Sequence, residues 1–348
     1  MKILFFGTYN PDYSRNRVLL SGFKENNINI IECHSDLKGI KKYIDLFQQH
    51  KKYRNKYDLM FVAFPGQLTM IFARFLSRKK IVFDAFTSLY DSNVFDRKTV
   101  GEKSLRAKYY WFLDWLSCSL ADKILLDTNE HIKYFIKTFK IKRDKFIRLF
   151  VISDDEIFKN VQVQERTEVQ KNKFLIHFHG TYIPLQGVEY VLESAKILEK
   201  YSDIRFHIIG SKIKEKFNNQ DFKNIDFTPN VSYEDLFKNI AMADISLGIF
   251  GETEKAKRVI PNKVYEAIAM SKPVITGRSG AIKELFIDHE NILMCDFNNA
   301  RDLADKILEL KNNKQLRDKL SGGTKEINKK LISKNIIRDL LLKINYLI

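Results

Sequence analysis

Lys263 and Glu266 stand three residues apart just behind Pro261, in the run Arg258-Val259-Ile260-Pro261-Asn262-Lys263-Val264-Tyr265-Glu266. Proline suits the first turn of a helix, where its missing N–H would have no partner, so an irregular loop here opens at Pro261 into a short helix. Lys272-Pro273 closes that helix ahead of the β-branched Val274-Ile275-Thr276. Residues three apart share a helix face. This face lies near the N-terminal end, where backbone N–H groups and the helix dipole favour a bound anion. A cation and a carboxylate at such a place suit a ligand that carries both phosphate and hydroxyl groups.

Other groupings are less specific. Gly180-Thr181 with Gln186-Gly187 reads as a strand running through a glycine turn into a helix, which lets backbone N–H groups approach a phosphate. An ordinary strand-to-helix turn would read the same way. Asp84-Ala85-Phe86-Thr87-Ser88 followed by Tyr90-Asp91 places two carboxylates after a strand; they suit either a base for a hydroxyl or an Asx-type loop cap. Thr8, Tyr9, Arg15 and Arg17 follow the first strand, as part of a ligand-facing loop or as surface residues. Asp154-Asp155-Glu156 reads as a solvated acidic loop. No cluster of His, Cys, Asp and Glu has metal-ligand spacing.

The elements that must position these residues alternate between strand and helix. Strands are expected at Lys2–Gly7, Ile28–Glu32, Leu59–Phe64, Lys80–Asp84 and Lys123–Asp127. Helices are expected at Ser14–Phe23, Leu37–Lys52, Met70–Ser77, Gly101–Ala121 and His131–Thr138. The alternation then restarts, with strands at Phe174–Phe178, Arg205–Ile209, Ile225–Thr228, Ile245–Ile249 and Cys295–Phe297, and helices at Val188–Lys200 and Tyr233–Met242. A mostly helical tail, Ala300–Ile348, is punctuated by Gly322-Gly323. Such alternation implies parallel, doubly wound sheets, whose ligands sit beyond the carboxyl ends of the strands. The polar stretch Asn160–Lys173 lacks apolar periodicity and reads as the link between two domains. The helix bearing Lys108-Tyr109-Tyr110-Trp111-Phe112 has Leu105, Tyr109, Phe112 and Leu116 on one face, which fits a buried face or, with its basic neighbours, a membrane interface.

A chain of 348 residues suits two domains, and 45% hydrophobic residues are ample for two cores. No uncharged apolar run of about 18 residues occurs, which argues against a membrane-spanning helix. Met1-Lys2 leads directly into an apolar strand too short for a signal peptide. Cys33, Cys118 and Cys295 are too scattered for a disulfide framework. The compartment expected is the cytoplasm. The net charge of +16, from 59 Lys and Arg against 43 Asp and Glu, favours anionic partners. The basic run Lys38–Lys56 is either a solvated helix face or a patch for anionic lipid. No nucleic-acid-binding motif accompanies the charge, so no specific nucleic acid is expected.

The run from Arg258 to Thr276, continued by Ser279-Gly280-Ala281-Ile282-Lys283-Glu284, resembles the sugar-nucleotide loop of retaining GT-B glycosyltransferases (group 1, or family 4). The resemblance is specific at residues 258–284 and extends over nearly the whole chain in architecture. It implies an α/β fold of two Rossmann-like, doubly wound domains facing a cleft: an acceptor domain at 1–160, a donor domain at 170–330, and a C-terminal helix at 331–348 crossing back to the first. It implies transfer of a sugar from a nucleotide-diphosphate donor to a glycan or lipid-linked acceptor hydroxyl, in cell-surface polysaccharide or lipid-linked glycan assembly. No metal or other cofactor would be needed, and the setting would be the cytoplasm, with peripheral contact at the anionic inner membrane face.

By the same resemblance, Gly180, Thr181, Asn230, Val231, Arg258, Lys263, Glu266, Ser279 and Gly280 would bind the donor. Asp84, Arg258 and Lys263 would serve the chemistry, and Gly7, Thr8, Tyr9, Arg15, Asp91 and Glu284 would lie on the acceptor side. The chain departs from the family at three places. Thr181 and Gln186 stand where relatives carry Arg or Lys for the diphosphate. Arg258 replaces the first of two glutamates eight positions apart, although Pro261, Lys263 and Glu266 match a Pro-x-Lys-x-x-Glu subgroup. No histidine accompanies Asp84. A GT-B-fold epimerase or phosphorylase, or a non-catalytic basic protein binding nucleotides or RNA, stays open beside the transferase reading.

Overall fold

The computed structural model describes residues 1–154, 157, 166 and 172–347. The chain divides into two compact units, Met1–Asp154 with Ile332–Ile348, and Asp155–Leu331. Asp155, Glu156 and most of the expected link at Asn160–Lys173 lie outside the described residues.

The first unit holds a parallel six-stranded sheet in the order β2-β1-β3-β4-β5-β6. Its strands are β1 (Lys2–Gly7), β2 (Asn29–His34), β3 (Leu59–Val62), β4 (Ile81–Asp84), β5 (Lys123–Leu126) and β6 (Phe146–Arg148). Side chains alternate between the faces of a strand. Leu4 and Phe6 therefore join one core, with Leu46 of α2 (Lys41–Tyr53), Met70 and Ala73 of α3 (Gln67–Leu76), Cys118 of α4 (Leu105–Leu120) and Phe135 of α5 (Asn129–Phe139). Ile3 and Phe5 join the other core, with Leu19 and Phe23 of α1 (Ser14–Glu25). Both faces of β1, β3, β4 and β5 are buried, which is why these strands read as continuous apolar runs rather than alternating ones.

The second unit repeats the architecture as a parallel sheet in the order β12-β11-β10-β7-β8-β9. Its strands are β7 (Phe174–His179), β8 (Ile204–Ile209), β9 (Ile225–Thr228), β10 (Ile245–Leu247), β11 (Val274–Gly277) and β12 (Leu293–Cys295). Its helices are α6 (Val188–Leu198), α7 (Ser211–Phe217), α8 (Tyr233–Met242), α9 (Asn262–Ala269), α10 (Ala300–Asn312) and α11 (Lys314–Lys330). The chain then returns to the first unit as α12 (Ser333–Ile344), whose Ile337, Leu340 and Ile344 fill the Ile3–Phe5 core. Among the described residues no helix is long and apolar enough to cross a membrane.

Several expectations from sequence are corrected. Helix α11 runs straight through Gly322-Gly323. A Cβ at Gly323 would lie 2.5 Å from the Glu290 carbonyl oxygen, so this glycine permits a close approach rather than a break. Asp154 is buried and ion-paired with Arg17 instead of solvated. Leu105, Tyr109 and Phe112 point to solvent, while Ala107, Leu113, Asp114, Ser117 and Cys118 form the buried face of α4. The short strand β6, helix α7 and a π-helical turn at Asp91–Asp96 were not expected; three to seven residues are too few to display a period.

The seam between α1 and α12 is tight. A Cβ at Gly22 would fall 2.3 Å from Ile337 Cγ1 and 3.0 Å from the Ser333 carbonyl oxygen. Beside it, the Asn26 carboxamide donates to the carbonyls of Gly22 and Lys334, at 2.7 and 2.9 Å. Overpacking a well-filled contact costs about 1–3 kcal/mol. Gly22→Val is therefore expected to lower the thermal midpoint in calorimetry, whereas a Gly101→Ala control, at a site with nothing within 4 Å of the new methyl group, leaves it within a degree or so.

Candidate functional site

Strand β7 and helix α9 bring the chemistry-bearing side chains of the second unit together. Pro261 is extended (φ −71°, ψ 148°) and caps α9 from outside, so the helix proper begins at Asn262. Lys263 and Glu266 thus occupy its first two turns, and both are buried. Their shared face is turned inward against the end of β7.

Glu266 is the middle of a hydrogen-bonded line. Its Oε1 accepts from the Tyr233 hydroxyl at 3.2 Å, and its Oε2 lies 2.8 Å from His179 Nε2. His179 Nδ1 is 2.9 Å from His177 Nε2. A carboxylate only accepts, so the line assigns the tautomers: His179 donates from Nε2 and accepts at Nδ1, and His177 donates from Nε2. His177 Nδ1 then carries a lone pair and needs no donor, which accounts for its lack of a partner among the described residues. Burial, helped by His179, His207 and Lys263, pushes His177 well below its ordinary value. It is neutral.

Lys263 is held differently. Its ammonium donates to the Gln186 side-chain oxygen and lies 3.7 Å from the centroid of the Phe178 ring. Burial drives it well below its ordinary 10.5, and the charge of Glu266 opposes that only in part. Gly180 makes room for the arrangement, since a Cβ there would come 2.9 Å from Gln186 Oε1 and 3.1 Å from Lys263 Nζ. Gln186 is itself fixed from behind. Phe250 N donates to the Gln186 carbonyl at 3.1 Å, and Gly251 N to that of Leu185 at 3.3 Å. Gly187 (φ +63°) is needed here, because a Cβ would sit 2.4 Å from Gly251 N.

The remaining donor-side residues are placed as follows. Ser279 is buried, and its hydroxyl accepts from Ile282 N at 3.1 Å. The N–H groups of Ser279, Gly280 and Ala281 have no acceptor among the described residues. Glu284 ends the short 3-10 turn that follows, half-buried. Thr181 is exposed beside Gly180. Asn230 is spent on a reciprocal clamp, its Oδ1 accepting from Ser211 N and its N–H donating to Ser211 Oγ, both at 2.9 Å; Val231 follows it, half-buried. Arg258 lies half-buried in the loop before α9, where with Lys257 it lowers the Glu254 carboxyl. Among the described residues no three His, Cys, Asp or Glu side chains converge as metal ligands.

In the first unit the expected residues do not form an open site. Asp84 and Arg15 grip each other in a buried bidentate pair at 2.6 and 2.7 Å, with the guanidinium 4.4 Å from the Phe86 ring centroid. A carboxylate so engaged is unsuited to act as a base, and Arg15 is not a surface cation. Tyr9 is a core residue that donates to Glu32 at 2.7 Å and packs edge-on against Phe5. Asp91 is fully buried, with its N–H bonded to Ser88 Oγ at 2.9 Å. Gly7 closes β1 with φ +153°, and Thr8 is half-buried beyond it. Sequence reasoning missed Asp114, which is buried in α4 and accepts from Ser88 Oγ, Leu89 N and Tyr90 N at 2.7–3.1 Å. Burial outweighs those bonds and pushes its carboxyl up to about 6.

A desolvated ammonium costs stability that an apolar chain of similar shape would not. Lys263→Met is therefore expected to raise the melting temperature of the ligand-free protein. The sign with pH follows from linkage: between the depressed folded value and 10.5 the unfolded chain binds the extra proton, so wild type gains stability as pH rises through that window. The stability gap between Lys263→Met and wild type, measured by thermal denaturation across pH, should be widest at neutral pH and below and should close toward the alkaline end.

Comparison with known proteins bears on the same region. The family model for glycosyl transferases group 1 matches residues 160–327. An uncharacterized glycosyltransferase of Methanocaldococcus jannaschii is 29% identical over 230 residues, which is 60% of this chain. The match spans 62% of that relative, less than two thirds of its length. Among solved structures, Anabaena HepE in complex with UDP superposes with a TM-score of 0.73 at 12% identity, covering 99% of this chain and 100% of that one. Sucrose-phosphate synthase from Thermosynechococcus elongatus gives 0.73 at 11% identity, covering 99% and 98%. A glycosyltransferase from Rickettsia africae gives 0.65 at 16% identity, again covering 99% and 98%. The chain thus shares the fold of these solved structures, and its residues 160–327 match the glycosyl transferases group 1 family.

Proposed function

We propose that the chain transfers a sugar from a nucleoside-diphosphate sugar to an acceptor hydroxyl, with retention at the anomeric carbon and without a metal. The observation that carries this reading is the buried Lys263 ammonium, held beside Gly180 and Gln186 where relatives present a cation to the diphosphate. Here the charge comes from α9 instead of from the turn. A phosphate arriving beside Lys263 supplies a counter-charge, which favours its protonated form and ties affinity to that residue.

The other roles are part of the same proposal. The amides of Ser279, Gly280 and Ala281 suit phosphate oxygens, and Arg258 suits the charge growing on the departing diphosphate. Glu266 has spare lone pairs beside its bonds from Tyr233 and His179, enough to accept from ribose hydroxyls. Thr181 and the main chain at Asn230-Val231 would border the donor sugar and base. The uridine of the HepE complexes makes UDP-linked sugars the first donors to try. In the step itself the anomeric carbon–phosphate oxygen bond breaks as the acceptor oxygen bonds to the same carbon. The acceptor proton passes to the departing phosphate oxygen. No side-chain base is required, which removes the need that Asp84 would have met. Gly7, Thr8 and Glu284 remain the acceptor-side candidates, and polysaccharide or lipid-linked glycan assembly in the cytoplasm is the setting we favour.

A thermal-shift panel of nucleoside diphosphates and their sugars tests the reading. A ligand at about 100 times its dissociation constant adds roughly 2.7 kcal/mol. We expect one nucleotide to raise the melting temperature of wild type, no shift in Lys263→Ala, and a reduced shift in Glu266→Ala. No shift with any nucleotide, or an unchanged one in Lys263→Ala, would overturn the proposal.

A further inference from the structure

Most of the large apolar side chains that the first unit leaves in water lie on three neighbouring helices. On the segment entering α2 and on α2 itself, Ile40, Ile44 and Phe47 are exposed at spacings of four and three. On α3 the exposed pair is Leu68 and Phe75, and on α4 it is the stripe Leu105, Tyr109 and Phe112, again at four and three. That spacing is one helix face. The opposite faces, through Leu46, Met70, Ala73 and Cys118, are the ones that fill the core. Ile40 is 74% exposed, and Phe75 and Leu105 are each 83% exposed, so these are whole side chains in water rather than edges of the core. The three helices adjoin: α3 packs on both others, and Tyr43 of α2 meets Phe72 of α3 edge to face at 5.2 Å.

The fully exposed charges on these three helices are cationic. Lys51 continues the α2 stripe by one further turn, Lys79 follows α3, and Lys108 sits within the α4 stripe, all exposed. Helix α3 contains no acidic residue. Of the carboxylates on the other two, Asp45 is bonded to Gln49 and Asp114 is buried. Apolar stripes of this kind, left in water on adjoining helices, mark an interaction site.

We propose that the outer face of α2, α3 and α4 seats the chain on the surface of an anionic lipid bilayer. The apolar side chains enter the boundary between headgroups and acyl chains, and the lysines lie along the surface with their ammonium groups at the lipid phosphates. Charge decides between occupants: a second copy on this face would set Lys51 and Lys108 against like charges, whereas anionic headgroups complement them. Nucleic acid would want stacking surfaces, and most of these side chains are aliphatic or lie singly. The inference is independent of the donor site and would hold if that reading failed.

Co-sedimentation of the full chain with vesicles tests it. Wild type is expected to pellet with vesicles of phosphatidylcholine mixed with phosphatidylglycerol, at least about tenfold more tightly than with phosphatidylcholine alone. Added salt should weaken the binding. The double variant Phe75→Glu with Leu105→Glu should lose about tenfold or more while keeping the wild-type melting temperature, and Lys51→Glu with Lys108→Glu should lose the preference for the anionic lipid. Wild type remaining in the supernatant with every vesicle overturns the proposal, as does pelleting that neither double variant changes. So does a dimer in light scattering that Phe75→Glu with Leu105→Glu dissolves, or salt-sensitive retention of RNA, if vesicle binding is absent.

Discussion

The second unit is organised around a cation that it does not solvate. Lys263 gives up water for one carboxamide oxygen and the face of Phe178, and among the described residues no carboxylate pairs with its ammonium; Glu266, on the same helix face, is occupied by His179 and Tyr233. Desolvation dominates its balance. Much of the surrounding backbone makes sense as the means of holding this state. Gly180 leaves room, the 3-10 turn at Pro184–Gln186 presents the carboxamide, and Gly187 and Gly251 let that turn bind the segment after β10. Filling either of those last two glycines would push backbone against backbone, and the cation would lose the carboxamide that holds it.

Beside it, the line His177–His179–Glu266–Tyr233 has a different task. With His177 kept neutral by burial, the line fixes Glu266 in one rotamer with spare acceptor capacity. Cation and carboxylate are thus held on one short helix with opposite treatment: one starved of partners, one supplied with them. The first unit uses its charges in a third way. Arg15 with Asp84, and Asp114 with the Ser88 hydroxyl and the 89–90 backbone, are closed internal contacts that shape the loop after β4. Their carboxylates stabilise conformation and are not presented to a ligand.

How far the sequence discloses this depends on the range of the interaction. Strands β1 and β9 and helix α8 match the expected bounds residue for residue, because apolar runs closed by glycine, proline or a serine cap are local signals. The pairing of Lys263 and Glu266 was legible for the same reason, being set by helix pitch. The two histidines of β7 were not, since His179 meets a carboxylate 87 residues later and nothing in the local pattern marks it. Gln186 seemed a loss of charge until Lys263, 77 residues on, was found to bond it. Asp84 misled because a carboxylate at a strand end looks the same whether or not a distant arginine closes on it. Helix α4 exposes the limit of periodicity: Leu105, Tyr109 and Phe112 share a face, but spacing cannot say whether that face looks inward or out.

The central claim is that burial disfavours the Lys263 ammonium until the diphosphate supplies its counter-charge. Calorimetry of a nucleoside-diphosphate sugar, run in buffers of differing ionisation enthalpy over about pH 7–10, reads the proton directly. Such a ligand has no phosphate proton of its own to exchange near neutrality. The account predicts net proton uptake by wild type on binding. It also predicts binding without uptake by Lys263→Arg, whose guanidinium stays charged. Uptake that persists in Lys263→Arg, or wild-type binding with no proton exchange anywhere in that range, would contradict it.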